Sequence, residues 1–374
     1  MKVLFPFVGD SIGGSHRSVL ELYNALENSS ITPIFVLHKI GPLSDFLDSL
    51  NIKYEYIFIK CLAGESPSLL RIAFSIASNF FKLSKFIRKN KIDIVHGNDL
   101  RINLTWPLPT RLSGAFYIWH QRSLMSSSAL WKVSTLLGNH FITISKFVHQ
   151  SLPNNILKSK KTLILNPFNT EKYYDRNESR RWVNEIYDLP KDSILFGYIG
   201  RLVYWKNVDF LINCFMEYVK KSDLQPHLVI VGSGDDKYVD SLKQLVYKLG
   251  MNNIVTFIGF SSEPSRVISS FDLMIAPSNQ EPFGRTIVEA MIQNTPVLAA
   301  KGGGHSEIID NGVTGRLYDH DNIDSFISQC DSYINDKKST YRIINKANTI
   351  ANPKYSSHRH AESIIQVYQQ LFIA

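Results

Sequence analysis

Cysteine is scarce: only Cys61, Cys214 and Cys330 occur in 374 residues, far apart and odd in number. That excludes a disulfide framework and a cysteine zinc site, and it fits a reducing cytosol. Long apolar runs are missing too. The greasiest stretch, SLLRIAFSIASNFF (68–81), is shorter than a bilayer span and carries Arg71, so no transmembrane helix is expected. The opening MKVLFPFVGD contains Pro6 and ends its apolar run at Val8 without a small-residue cleavage pattern, so it reads as a first strand rather than a signal peptide. The dinucleotide spacing G-x-G-x-x-G is absent from the start, where the glycines stand at 9, 13 and 14, which argues against NAD. Tandem repeats and low-complexity tracts are lacking as well.

What remains is the composition of a globular protein, 44% hydrophobic and 20% charged, long enough for two domains. Short apolar, β-rich runs alternate with helical patterns, the signature of parallel α/β sheets. Strands are read at 2–8, 33–38, 54–59, 92–96, 115–119, 141–144 and 162–165, with helices at 15–27 and 67–89. NPFNTEKYYDRNESR (166–180) interrupts the alternation and reads as the linker. A second series follows at 194–200, 227–232, 254–259, 272–277, 296–300 and 314–318, and an amphipathic helix closes the chain at 358–373. The expected architecture is α/β: a Rossmann-like doubly wound domain over 1–168, a second over 169–354, and a C-terminal helix within 355–374 packing back toward the first. Two such domains are expected to face a central cleft at the carboxyl ends of their strands, where these folds bind ligands.

Positive charge is concentrated early. Residues 1–180 hold 22 Lys and Arg against 12 Asp and Glu, whereas 181–374 hold 19 against 21. Nucleic acid, an acidic membrane surface and a phosphorylated substrate all match an early basic excess. No recognised nucleic-acid motif accompanies it, so nucleic acid is not expected as a partner. SPSLLRIAFSIASNFFKLSKFIRKNK (66–91) joins a greasy face to Lys82, Lys85, Arg88, Lys89 and Lys91. It reads either as a helix packed on its own sheet or as a basic amphipathic surface for anionic lipid.

Three loops carry the chemistry. VGDSIGGSHRS (8–18) follows a strand and opens a helix, so Gly13 and Gly14 can present backbone amides to a phosphate. GRLVYWKN (200–207) places Arg201 and Lys206 where two cations can hold a diphosphate. In SNQEPFGRTIVEAM (278–291) a turn at Pro282 and Gly284 starts a helix, with Glu281 in the loop and Glu289 over one turn inside. The amides of Gly284, Arg285 and Thr286 would lie between the two carboxylates. Read singly, each motif has an ordinary alternative: a tight turn, solvated charges, surface acids. Asp319-His320-Asp321 matches a metal-binding D-x-D string but falls in a polar turn far from the cations, and reads as a solvated loop.

Taken together, the E-x7-E spacing of EPFGRTIVEAM, Gly13-Gly14, Gly200-Arg201 with Lys206, VGSGDD (231–236) and GGGHSEIIDNGVTGRLY (302–318) resemble the landmarks of retaining GT-B glycosyltransferases of family 4, the glycosyl transferases group 1. They come in family order across nearly the whole chain. The resemblance implies a GT-B fold and transfer of a hexosyl-type sugar from a UDP- or GDP-sugar to a glycan or lipid-linked glycan, with no cofactor and no metal. It implies that Glu281 contacts donor-sugar hydroxyls, that Glu289 binds the ribose, and that Arg201 and Lys206 clamp the diphosphate. The amides of Phe283, Gly284, Arg285 and Thr286, with the Gly13-Gly14 loop, would complete the cradle, and His120 would stand near the donor sugar. A place in bacterial surface polysaccharide synthesis, such as capsule or lipopolysaccharide, follows from the same likeness. The expected location is the cytoplasm, peripheral on the inner face of the membrane. Asn207 and Pro167 stand where the family usually has glycine. The rival readings are an epimerase of the same fold and a non-catalytic nucleotide-sugar-binding subunit.

Overall fold

The computed structural model describes residues 1–27, 29–65, 68–126 and 129–373. Residues 66 and 67 of the expected 66–91 segment, and residue 374 of the tail, lie outside these. Among the described residues the chain divides into two units, residues 1–168 with 357–374, and residues 169–356.

The first unit is built on seven parallel strands: β1 (Lys2–Phe7), β2 (Thr32–Leu37), β3 (Tyr54–Tyr56), β4 (Ile94–Gly97), β5 (Phe116–Gln121), β6 (His140–Thr143) and β7 (Lys161–Leu163). Their order is β3-β2-β1-β4-β5-β6-β7. The near-continuous apolar runs explain this: β1 is buried from Val3 onward and β4 throughout, as parallel strands covered on both faces require. β3 stops at Tyr56, short of the expected 54–59, because its ladder partner β2 ends at Leu37, opposite Tyr56.

The helix Ser357–Ile373 belongs to this unit. Ala361, Ile364, Val367 and Tyr368 are buried with Val3, Phe5, Ile94 and Ile118, so the end of the chain completes the core begun by its first strand. Tyr355, by contrast, is buried in the second unit, edge-on to Phe283 with ring centroids 6.0 Å apart. The break before the tail therefore falls at Ser356 rather than before residue 355.

The second unit repeats the scheme with β8 (Ile194–Ile199), β9 (Pro226–Val231), β10 (Val255–Gly259), β11 (Leu273–Ala276), β12 (Val297–Ala300) and β13 (Arg316–Tyr318), in the order β10-β9-β8-β11-β12-β13. Its first helix, Arg176–Tyr187, starts inside the segment read as linker, because the Asp175 carboxylate accepts from the Glu178 amide at 2.9 Å and caps it. Each sheet reverses its winding once, between β1 and β4 and between β8 and β11. At each reversal the connections leave for opposite faces of the sheet, which opens a crevice for ligands at the carboxyl ends of the paired strands.

Candidate active site

In the second unit the loops after β8 and β11 are neighbours because those strands pair directly. The β8 loop is held from below: the Tyr198 hydroxyl donates to the Arg201 carbonyl at 2.9 Å, and Leu202 bridges to Gly234 of the VGSGDD segment. Its last turn carries Lys206, whose ammonium lies 4.4 Å from the Trp205 ring centroid. That ammonium donates to Oε2 of Glu281 on the β11 loop. Both side chains are mostly withdrawn from water, 17% and 15% exposed, so the pair is screened little. Ser278 Oγ donates to the Trp205 carbonyl at 2.9 Å and ties the two loops a second time.

A third loop, after β12, locks the arrangement. The Gly304 amide donates to the Glu281 carbonyl at 2.8 Å, and a Cβ at Gly304 would stand 2.3 Å from the Phe283 carbonyl oxygen. His305, next in sequence, is buried with Nδ1 3.2 Å from the Ala300 carbonyl. Burial pushes its pKa down to about 4, so the ring is neutral at pH 7 and its Nδ1–H donates.

The helix Arg285–Ile292 opens beside Glu281. Gly284 caps it at φ +107°, a conformation that glycine adopts without strain. Phe283 is buried, Thr286 is half-buried, and Arg285 reaches Glu289 one turn on, at 3.5 Å. Glu281 and Glu289 are thus each matched to a cation, Lys206 and Arg285. Arg201, expected to act with Lys206, is exposed on the same loop.

Gly13, Gly14 and His120 lie in the first unit. Gly13 precedes the helix Gly14–Ala25, but its amide donates to Nδ1 of His16 at 3.0 Å. The expectation of a bare amide at Gly13 is corrected here: a side chain three residues on already takes it. His120 is 1% exposed. Its Nδ1 lies 3.0 Å from His96 Nε2, its ring stacks between His96 and His360, and Tyr368 of the tail helix closes the row at 2.6 Å from His96 Nδ1. β5 is covered on both faces, so Trp119 and His120, which point opposite ways, are both core residues. Burial holds the His120 pKa well below the usual range, and the ring is neutral.

Comparison with known proteins adds the decisive observation. Residues 180–349 match the model of the family described as glycosyl transferases group 1. This likeness falls within the second unit. An uncharacterized glycosyltransferase of Methanocaldococcus jannaschii is 31% identical over 250 residues, covering 64% of this chain and 62% of that protein. The UDP-Gal:alpha-D-GlcNAc-diphosphoundecaprenol alpha-1,3-galactosyltransferase of Escherichia coli is 23% identical over 357 residues, 91% of this chain and 90% of that one. Among solved structures, Anabaena HepE in complex with UDP and glucose superposes with a TM-score of 0.85 at 22% identity, over 99% of each chain. The two parallel-sheet units are those of the GT-B fold.

The second unit keeps its shape where the usual glycine is replaced. Asn207, after Lys206, takes the left-handed conformation at φ 58°, which asparagine tolerates better than most residues. In the first unit Asn166 accepts from Arg122 at 2.7 Å, and Arg122 also donates to Asn98. Asp10, on the β1 loop, takes two hydrogen bonds from Arg101 at 2.6 and 3.1 Å, and that contact chiefly lowers its pKa. Sequence reading missed Trp205, Ser278, His16 and Arg122. Their only signal was position just after a strand, since no periodicity marks a residue that supports a neighbour. The Asp319-His320-Asp321 string lies in a turn, with His320 Nδ1 2.7 Å from the 66% exposed Asp321.

The buried imidazoles make a pH prediction. His16, His38 and His305 are pushed from the ordinary 6.5 to about 4, with burial the leading cause. Below 6.5 the unfolded chain takes up protons that the folded chain refuses, so stability falls as pH drops from 6.5 toward 4. Thermal unfolding is expected at a clearly lower midpoint at about pH 5 than at about pH 7.5. Equal midpoints would contradict the burial of neutral rings.

Proposed function

We propose that this chain moves a sugar from a nucleoside diphosphate sugar to a glycan or lipid-linked glycan, with retention at the anomeric carbon and without a metal. The observation that carries the proposal is the Lys206–Glu281 pair, formed between the two loops that leave the winding reversal of the second sheet. A leaving diphosphate gains charge as its bond to the sugar breaks, so a fixed ammonium there lowers the barrier. Arg201, exposed on the same loop, adds a second cation once the donor is bound. The first-turn amides of Arg285 and Thr286 face the same charge. Glu281, oriented by Lys206 and by the amide of Gly304, accepts from sugar hydroxyls, and Glu289 from the ribose. The acceptor hydroxyl attacks the face that the diphosphate leaves, and the departing phosphate takes its proton.

The names of the relatives support a donor of the UDP-sugar kind, an acceptor on diphosphoundecaprenol and a role in bacterial capsular or other surface polysaccharide synthesis. Nucleotide release from UDP-, GDP-, dTDP- and ADP-sugars without acceptor tests the reading. One nucleoside diphosphate should appear slowly and at an unchanged rate in EDTA. Loss of release in EDTA would assign the diphosphate charge to a metal. Interconversion of the sugar with no nucleotide released would favour an epimerase, and binding without turnover even when acceptor is supplied would favour a non-catalytic subunit.

A further inference from the structure

The helix Leu69–Asn90 packs on its own unit and still leaves an apolar stripe outside. The side chains it buries include Ser75, Asn79 and Ser84 beside Ile72, Leu83 and Ile87, while Leu70, Phe74 and Phe81 are 84%, 73% and 81% exposed. Two of the small polar residues on the inner side are tied to the Cys61 carbonyl. Ser75 Oγ donates to it at 2.5 Å, and Asn79 Nδ2 donates to the same carbonyl at 3.3 Å. Leu70, Phe74 and Phe81 follow one another at four- and seven-residue spacing, so they form a single stripe along the outer side.

The stripe runs into cations. Lys82, Lys85, Arg88 and Lys89 are exposed at its C-terminal end, and Phe80, Phe81, Ser84, Lys85, Arg88 and Lys89 line a shallow groove. Lys82 donates to the Phe58 carbonyl at 2.7 Å and Arg88 to that of Leu112 at 2.9 Å, which brings two more exposed apolar side chains alongside. Acidic residues are missing: none occurs from 66 to 92, and residues 100–170 contain eight Lys and Arg and no Asp or Glu. No helix among the described residues is long and apolar enough to cross a membrane.

We infer that this face of the first unit docks on an anionic bilayer surface, with Leu70, Phe74 and Phe81 in the acyl-headgroup boundary and Lys82, Lys85 and Lys89 against lipid phosphates. Charge complementarity selects this occupant. A second copy of the same face would set lysine against lysine with no carboxylate between them, whereas an anionic leaflet supplies phosphate to every cation and an apolar layer to the stripe. The inference needs no turnover and stands apart from the transferase reading.

Flotation of the full chain with vesicles tests it. Wild-type protein is expected to float with vesicles containing phosphatidylglycerol, to stay behind with pure phosphatidylcholine, and to lose binding as salt rises. Lys82→Gln, Lys85→Gln and Lys89→Gln together should weaken partitioning about a hundredfold, and Leu70→Ser, Phe74→Ser and Phe81→Ser together at least about tenfold. All six residues are exposed, so thermal midpoints near that of the wild type should accompany both losses. Absence of flotation, equal binding to neutral vesicles, or vesicle binding untouched by either set would overturn the docking surface. So would a dimer in light scattering that the serine variants dissolve, or salt-sensitive binding to single-stranded DNA in place of vesicles.

Discussion

Lys206→Ala is expected to slow nucleotide release from the donor by about a hundred- to a thousandfold, or roughly 3–4 kcal/mol of barrier. Its ammonium is the cation that the structure holds in place before any donor arrives, paired with Glu281 and set over Trp205. The substitution also leaves a shielded carboxylate without its partner, which costs about 1–3 kcal/mol of stability. The double variant Lys206→Met with Glu281→Gln separates the two effects. Removing both charges is close to neutral for folding, so its thermal midpoint should return toward the wild type while release stays at or below the single-variant level. A loss in Lys206→Ala of less than about tenfold, or 1.4 kcal/mol, would take the ammonium out of the reaction.

Gly304→Ala is expected to be nearly as damaging without touching a charged group. Gly304 has an ordinary helical backbone, so the cause is space alone: the new methyl would stand 2.3 Å from the Phe283 carbonyl oxygen and 2.6 Å from its Cα. The loop carrying Glu281 must move, and the hydrogen bond from the Gly304 amide to the Glu281 carbonyl is lost with it. A displacement near 1 Å costs about a hundredfold in turnover, and overpacking about 1–3 kcal/mol of stability. Thermal unfolding together with the release assay checks both. Unchanged release would mean that the β12 loop does not position Glu281.

The alternation of apolar runs marked where the strands lie, because a strand buried on both faces is written locally as consecutive Val, Ile, Leu and Phe. β1 and β8 are examples, each starting where expected and ending one residue early. The tail helix was visible in its amphipathic period. His120 shows where such reading stops. Strand position was evident, but the ring that covers His120 from the tail is that of His360, 240 residues later in the chain. Gly13 is similar on a shorter scale, since a glycine before a helix looks the same whether its amide is free or bonded to His16.

The order of elements, the E-x7-E glutamates and the cations on the β8 loop were thus determined by the sequence itself, because propensity, periodicity and residue chemistry act within a few positions of one another. Tertiary structure alone decided the partners. Lys206 and Glu281, 75 residues apart, meet only because β8 and β11 pair directly in the second sheet, which brings the loops at their carboxyl ends within reach. The same holds for the helix Leu69–Asn90: its composition promised one greasy face, and the hydrogen bonds of Ser75 and Asn79 to the Cys61 carbonyl turn part of it outward.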